Sequence, residues 1–160
     1  MKGMTVIVKT VAGWAKMLIF LFGVYTILLG HLTPGGGFAG GVILASSYVL
    51  LLLAFGRRFV EEDLPLALDS KLDCLGALAF ALIAVWPLVW GGGFFVNFLL
   101  QHLPETALKL VSAGTIPLSN IAIGLKVGAS LFLVIFLLSV FSDGGDTQTH
   151  PTGRTADSKE

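Results

Sequence analysis

The sequence predicts an all-α integral membrane protein, a bundle of four transmembrane helices with both termini cytoplasmic. Three observations predict it. Only 12% of the 160 residues are charged and 55% are hydrophobic, whereas a soluble domain carries about 25% charged and about 45–50% apolar residues. Mean hydropathy is +0.89, and four apolar stretches approach the roughly 20 residues that a helix needs to cross a hydrocarbon layer about 30 Å thick. Lys and Arg gather on one side of those stretches. Ten basic residues balance ten acidic ones, so no overall field points to nucleic acid or to an acidic partner. The single cysteine, Cys74, excludes an internal disulfide framework and a cysteine-rich zinc site.

The first span is expected over Val11–Gly30, and the apolar run reaches back towards Met4 apart from Lys9. No small-residue cleavage site follows it, so it reads as an uncleaved helix rather than a signal peptide. The second span, Phe38–Phe55, is uncharged; the third, Leu72–Trp90, has Asp73 at its start. The fourth, Pro117–Phe141, opens on a proline, which suits a first helical turn where its missing N–H leaves no bond unmade. Residues 1–141 thus form one membrane domain, and the polar stretch 142–160 is expected to be a disordered tail.

Orientation follows from the flanking charges. Lys2, Lys9, Arg57, Arg58, Lys71, Arg154 and Lys159 fall on the side of the termini, and Lys109 alone on the other. Trp14, Trp86 and Trp90 lie near span ends, where interfacial aromatics belong. The connection from Gly56 to Ser70 is mixed in charge, contains Pro65 as a breaker, and reads as a solvated cytoplasmic loop. The longer, partly apolar connection from Gly91 to Ile116 reads as lying on the outer interface or against another subunit.

The most distinctive stretch runs Gly30-His31-Leu32-Thr33-Pro34-Gly35-Gly36-Gly37-Phe38-Ala39-Gly40-Gly41 and holds six of the twenty glycines. Gly35, Gly37 and Gly40 match G-x-G-x-x-G, but the dinucleotide reading requires a preceding strand, and both neighbours here are membrane helices. Two readings stay open. The glycines form a tight turn and let the second span approach another helix closely, or unwound backbone and the open start of that span line a polar cavity for an ion. His31 is the ionisable side chain of this stretch, either interfacial or a proton relay. His102 and His150 are scattered, and the three histidines make no metal site.

Lys126 is the strongest single observation. It is the tenth residue of the 25 in Pro117–Phe141, about 13–14 Å along the helix and near the bilayer middle. Insertion of Lys there costs about 2.5–3.5 kcal/mol, and an ionisable group at that depth faces a partner or water. Asp73, expected at the cytoplasmic start of span three, and Asp69, expected outside it, are poorly placed, so the partner carboxylate is expected from another subunit. Ser119 and Ser130 fall on roughly the face of Lys126, with Asn120 nearby, a polar line that could carry water. Ala122, Gly124, Gly128, Ala129 and Ser130 thin the helix on two adjoining faces, and Gly124 and Gly128 form G-x-x-x-G, the mark of a helix packed tightly on both sides. Ser46, Ser47 and Tyr48 are expected to bond to backbone carbonyls or neighbouring helices, Lys16 to snorkel to the cytoplasmic interface, and Cys74 to be an inert, buried small hydrophobe.

The glycine-rich stretch, followed by a hydrophobic span and later by Asn120-Ile121-Ala122-Ile123-Gly124-Leu125-Lys126-Val127-Gly128, resembles the MnhB/MrpB domain over about residues 12–141. That domain is the B subunit of Mrp-type multisubunit cation/proton antiporters, with relatives in membrane-bound hydrogenase and sulfane reductase complexes. The resemblance implies a small, non-catalytic, multi-pass plasma-membrane subunit of a hetero-oligomer moving Na+ or H+, without cofactor, metal or catalytic residue of its own. By match of motif, His31, Pro34, Gly35, Gly36, Gly37, Gly40 and Gly41 form the signature loop, and Lys126 is the charge of the last span. Two classes of role are implied: a share of the ion path through Lys126 and His31, or a scaffold docked through small-residue faces. The host complex is either a secondary antiporter or a redox-driven pump.

Overall fold

The computed structural model describes residues 4–32, 34–89, 92–97 and 113–145. Thr33, Trp90, His102, Lys109, His150 and the expected tail beyond 145 lie outside the described residues. The described residues form five helices and no strand: α1 Val6–Leu28, α2 Gly36–Phe55, α3 Arg57–Asp63, α4 Leu66–Val89 and α5 Ile116–Gly145. Four of them, α1, α2, α4 and α5, are long and apolar enough to cross a membrane.

Helix α1 starts five residues earlier than expected, at Val6. Lys9 does not interrupt it because its ammonium lies over the Phe55 ring, 5.8 Å from the centroid, a cation–π placement that offsets part of the cost of the charge. The chain then turns through the glycine-rich stretch. Gly35 and Gly36 have φ of 148° and 66°, left-handed values that side-chain-bearing residues avoid, and α2 starts directly on Gly36. Gly56, with φ 87°, closes α2 as its N–H bonds to Leu52 O at 3.1 Å.

The region expected as a solvated loop is instead largely helical. Residues 57–63 form α3, and α4 begins at Leu66, six residues before the expected Leu72. The reason is Val60, which is fully buried in a cluster with Ala45, Leu51, Leu52, Phe132 and Phe136. Phe59 adds a stacked contact with Phe55, ring centroids 4.5 Å apart. Apolar burial therefore pulls this polar-looking segment onto the bundle, and Pro65 ends one helix while its carbonyl receives the Leu68 N–H at 2.8 Å as the next one starts.

Beyond α4, whose last turn contains Pro87, the chain folds back: Phe95 N–H donates to Ala84 O at 3.2 Å and Gly92 N–H to Pro87 O at 3.0 Å, giving partners to carbonyls at the helix end. Asn97 bridges to the start of α5, donating to Ala113 O at 2.9 Å and accepting from Thr115 N–H at 3.0 Å. Pro117 occupies the first turn of α5 as expected. That helix runs to Gly145, four residues into the stretch expected to be tail, because nothing in Ser142–Gly145 breaks an established helix before the glycine pair.

The helices pack in the order α1, α2, α5, α4, with α5 between α2 and α4. Small residues allow this. A Cβ on Gly41 would stand 2.7 Å from Gly124 O, and one on Gly37 would overlap the Asn120 backbone, so α2 and α5 touch backbone to backbone. Gly124 and Gly128 both face this side, whereas Ala122 and Lys126 meet Gly76 of α4. The two end helices turn large apolar residues outward, including Trp14 and Met17 on α1 and Leu78 and Val89 on α4. Such surfaces suit lipid or neighbouring membrane chains.

Candidate functional site: a charged cluster between α4 and α5

Lys126 has a partner within this chain. Its Nζ donates to Asp73 Oδ1 at 2.8 Å, and Ser130 Oγ donates to the same oxygen at 2.6 Å. This corrects the expectation of a carboxylate from another subunit. Because α4 begins at Leu66, Asp73 is its eighth residue, about 10 Å along the helix rather than at its mouth. The flexible lysine stem covers the remaining difference in depth.

Gly76 explains how the two helices come near enough. It lies one turn after Asp73 on α4, and a Cβ there would stand 2.8 Å from Lys126 N and 2.9 Å from Ala122 O. Lys126 and Ser130 are four apart, hence on one face of α5, and together they supply two donors to one carboxylate oxygen. Such charge-assisted bonds are the stronger class. The pair is not sealed: the side chains are 46% exposed for Lys126 and 29% for Asp73. The bundle thus presents a hydrogen-bonded ion pair part-way through its apolar length, open on the outer side of the α4–α5 seam. A polar group at that depth is costly in lipid. A neighbouring chain or water covering this side would relieve that cost.

The other expected site residues divide into two groups. Ser119, although near the lysine's face, is buried and donates to Thr115 O at 3.1 Å, a helix-internal bond away from the cluster. Asn120 belongs with the glycine turn: a Cβ on Gly36 would lie 3.6 Å from its Oδ1. His31 lies in the turn between α1 and α2, half-buried, with Pro34 exposed nearby. Six residues separate Asn120 from Lys126, about 9 Å of helix rise, so the glycine turn and the charged cluster are distinct places. Gly40 packs on α1, where a Cβ would overlap Ile27.

Several other polar side chains have partners of their own. Ser46 and Ser47 donate to Val42 O and Leu44 O. Lys16 turns towards α3, pairing with Asp63 at 3.2 Å and lying 4.7 Å from the centroid of the Tyr48 ring. Cys74 is exposed on α4 instead of buried. Sequence reasoning set Asp73 aside as poorly placed and missed Gly76. Their signal was an acidic residue and a glycine three apart, which share one helical face once the span is allowed to start earlier.

Comparison with known proteins bears on this architecture. The family model described as a domain related to the MnhB subunit of Na+/H+ antiporters matches residues 7–133. A protein of Methanocaldococcus jannaschii without an assigned function is 39% identical over 142 residues, 84% of this chain and 52% of that protein. A Staphylococcus haemolyticus protein named as the antiporter subunit mnhB2 is 36% identical over 121 residues, 71% of this chain and 85% of that protein. Among solved structures, a chain of the membrane-bound sulfane sulfur reductase, an archaeal respiratory membrane complex, superposes with a TM-score of 0.71 at 30% identity. That match covers 84% of this chain and 57% of the other. The chain therefore spans little more than half the length of the Methanocaldococcus and sulfane reductase chains. With a family model over most of its length, the chain belongs to the MnhB domain family.

Proposed function

We propose that this chain is a small, non-catalytic subunit of a multisubunit Na+/H+ antiporter module in the plasma membrane, both termini cytoplasmic. In this reading Lys126, Asp73 and Ser130 form a charged station beside the cation or proton route, and small-residue faces hold the bundle against larger subunits. One observation carries it: a half-exposed ion pair well inside an apolar span, which a lone bundle in lipid has no reason to keep. A partner chain placed over the α4–α5 seam gives the pair a dry or hydrated neighbour. The domain's kinship with named antiporter subunits supports the ion class. His31 and the glycine turn, about 9 Å along α5 from the station, then serve the opposite side of the subunit as a docking corner.

The likeness to a chain of a sulfane sulfur reductase, a respiratory membrane complex, supports a second host, a redox-driven ion pump. The roles proposed for this chain are the same in both hosts. Mass spectrometry of the complex purified through this chain in mild detergent tests the proposal. Antiporter-like membrane subunits alone indicate the secondary antiporter, and co-purifying hydrogenase-like or iron–sulfur subunits indicate the redox-driven pump. A chain recovered alone overturns both.

A further inference from the structure

A second carboxyl, Asp69, lies one turn before Asp73 on α4 and takes no part in the hydrogen bonds of the charged cluster. It lies in the first turn of α4 and is only 2% exposed, the one ionisable side chain among the described residues that are buried. Its Oδ2 is buried without a hydrogen-bond partner. Unmade bonds of this sort cost free energy and need a reason.

Asp69 lines a cleft of about 230 Å³ that draws walls from all four long helices, with Phe20 of α1, Tyr48 of α2 and Phe132 of α5 among its lining. That volume has room for several waters. Apart from Asp69 and Tyr48, every lining residue has an apolar side chain or none. A hard metal cation takes several oxygen ligands at once, and these walls do not assemble them around Asp69. A proton needs one oxygen only.

We propose that Asp69 and the cleft it lines are a reversible proton-binding site, in which water in the cleft delivers a proton to the carboxylate and removes it again. The step is balanced: carboxylate plus hydronium gives carboxylic acid plus water, and the reverse. The protonated acid is uncharged and donates one O–H, so it suits apolar walls that an ionised carboxylate does not.

The charged groups that α1, α3 and α5 bring near the site are engaged elsewhere. On α4, Asp73 is four residues on and holds Lys126 and Ser130 of α5. From α2, Tyr48 shares the cleft, and Lys16 of α1 lies over its ring while paired with Asp63 of α3. Neither of the salt bridges Lys16–Asp63 and Lys126–Asp73 involves Asp69. Asp69 thus shares no bond with the Lys126 station, although Asp73 is its neighbour one turn along α4, and it is tested by protonation rather than by transport.

The experiment is infrared difference spectroscopy between alkaline and acid pH on the purified complex carrying the native chain, Asp69→Asn or Asp69→Glu. The native complex is expected to gain a protonated-carboxyl C=O band on acidification that is missing in Asp69→Asn and returns at a shifted frequency in Asp69→Glu. Coincident native and Asp69→Asn spectra would overturn the proposal. Loss of the band on adding Na+ at constant pH would also overturn it, by making the site a cation site. Should Asp69→Asn fail to assemble, the native complex is treated with dicyclohexylcarbodiimide, which attacks protonated carboxyls. An adduct at Asp69 that declines as pH rises supports the assignment, and none at any pH refutes it.

Discussion

Replacing Asp73 by Asn removes the charge that holds Lys126 while leaving the side chain's size almost unchanged. Breaking a wholly buried pair costs about 3–5 kcal/mol because the surviving charge is left alone. Lys126 is 46% exposed and Asp73 29% exposed on this chain, so part of that penalty is relieved by snorkelling or by cover from outside. The expected loss for Asp73→Asn is therefore about 2 kcal/mol, below the roughly 2.5–3.5 kcal/mol that an unpaired lysine costs at the centre of a span. Lys126→Met, which strands the aspartate, is expected to lose a similar amount. The double variant carries no charge at the seam and is expected to recover at least about 1 kcal/mol of the summed losses, the coupling of residues in direct contact. The assay is the fraction of complex that stays assembled in a heat or denaturing-detergent series, read by size-exclusion of the tagged complex. Strictly additive losses would refute the pairing, because two groups that do not interact have no coupling to recover.

Further predictions concern the frame around the cluster. Ser130→Ala removes one donor to Asp73 Oδ1 and is expected to cost about 1 kcal/mol in the same assay, and less when Asp73 is already Asn, whose amide oxygen accepts without the charge. Gly41→Ala puts a methyl 2.7 Å from Gly124 O and is expected to lower complex yield by an overpacking cost of about 1–3 kcal/mol, whereas Gly13→Ala, with nothing within 4 Å, is neutral. Val60→Ala in the fully buried position of α3 is expected to cost about 2 kcal/mol, seen as a lower melting temperature. Asp63→Asn breaks a partly exposed pair with Lys16 and is expected to change stability by less than about 1 kcal/mol, an effect that added salt weakens.

Much of the fold was legible because the bilayer leaves few options. Stretches of some twenty apolar residues must be helices when every backbone group has to be satisfied internally. Pro117 marked the start of α5 to within one residue. Legibility failed where helix continued outside the apolar stretch. The apolar run back towards Met4 left room for Val6–Thr10, where Lys9 settles over Phe55, but Leu66–Lys71 carries charges and was read as loop, although the α3–α4 segment is tied down by Val60. That six-residue error at the start of α4 had a chemical consequence. It left Asp73 at a membrane mouth and Asp69 outside, when one pairs with Lys126 and the other is buried against a cleft.

Of the candidate site, Lys126 was legible as an anomaly because a charge within an apolar run is costly. Its partner was not, since pairing depends on the register between α4 and α5, which Gly76 sets by close approach. The glycine stretch was legible as a turn, and Gly35 and Gly36 adopt the backbone angles that the turn demands. That Asn120 would close over that turn, while Ser119 bonds back into its own helix, followed from rotation about α5, which spacing alone does not fix.

The most direct test of the account is cation-driven proton movement in inverted membrane vesicles containing the complex with Lys126→Met, compared with the native complex at equal amounts of assembled protein. The account predicts a large fall in transport by those assembled complexes, with Asp73→Asn falling likewise. Undiminished transport by Lys126→Met would contradict it and leave the cluster a structural pair alone.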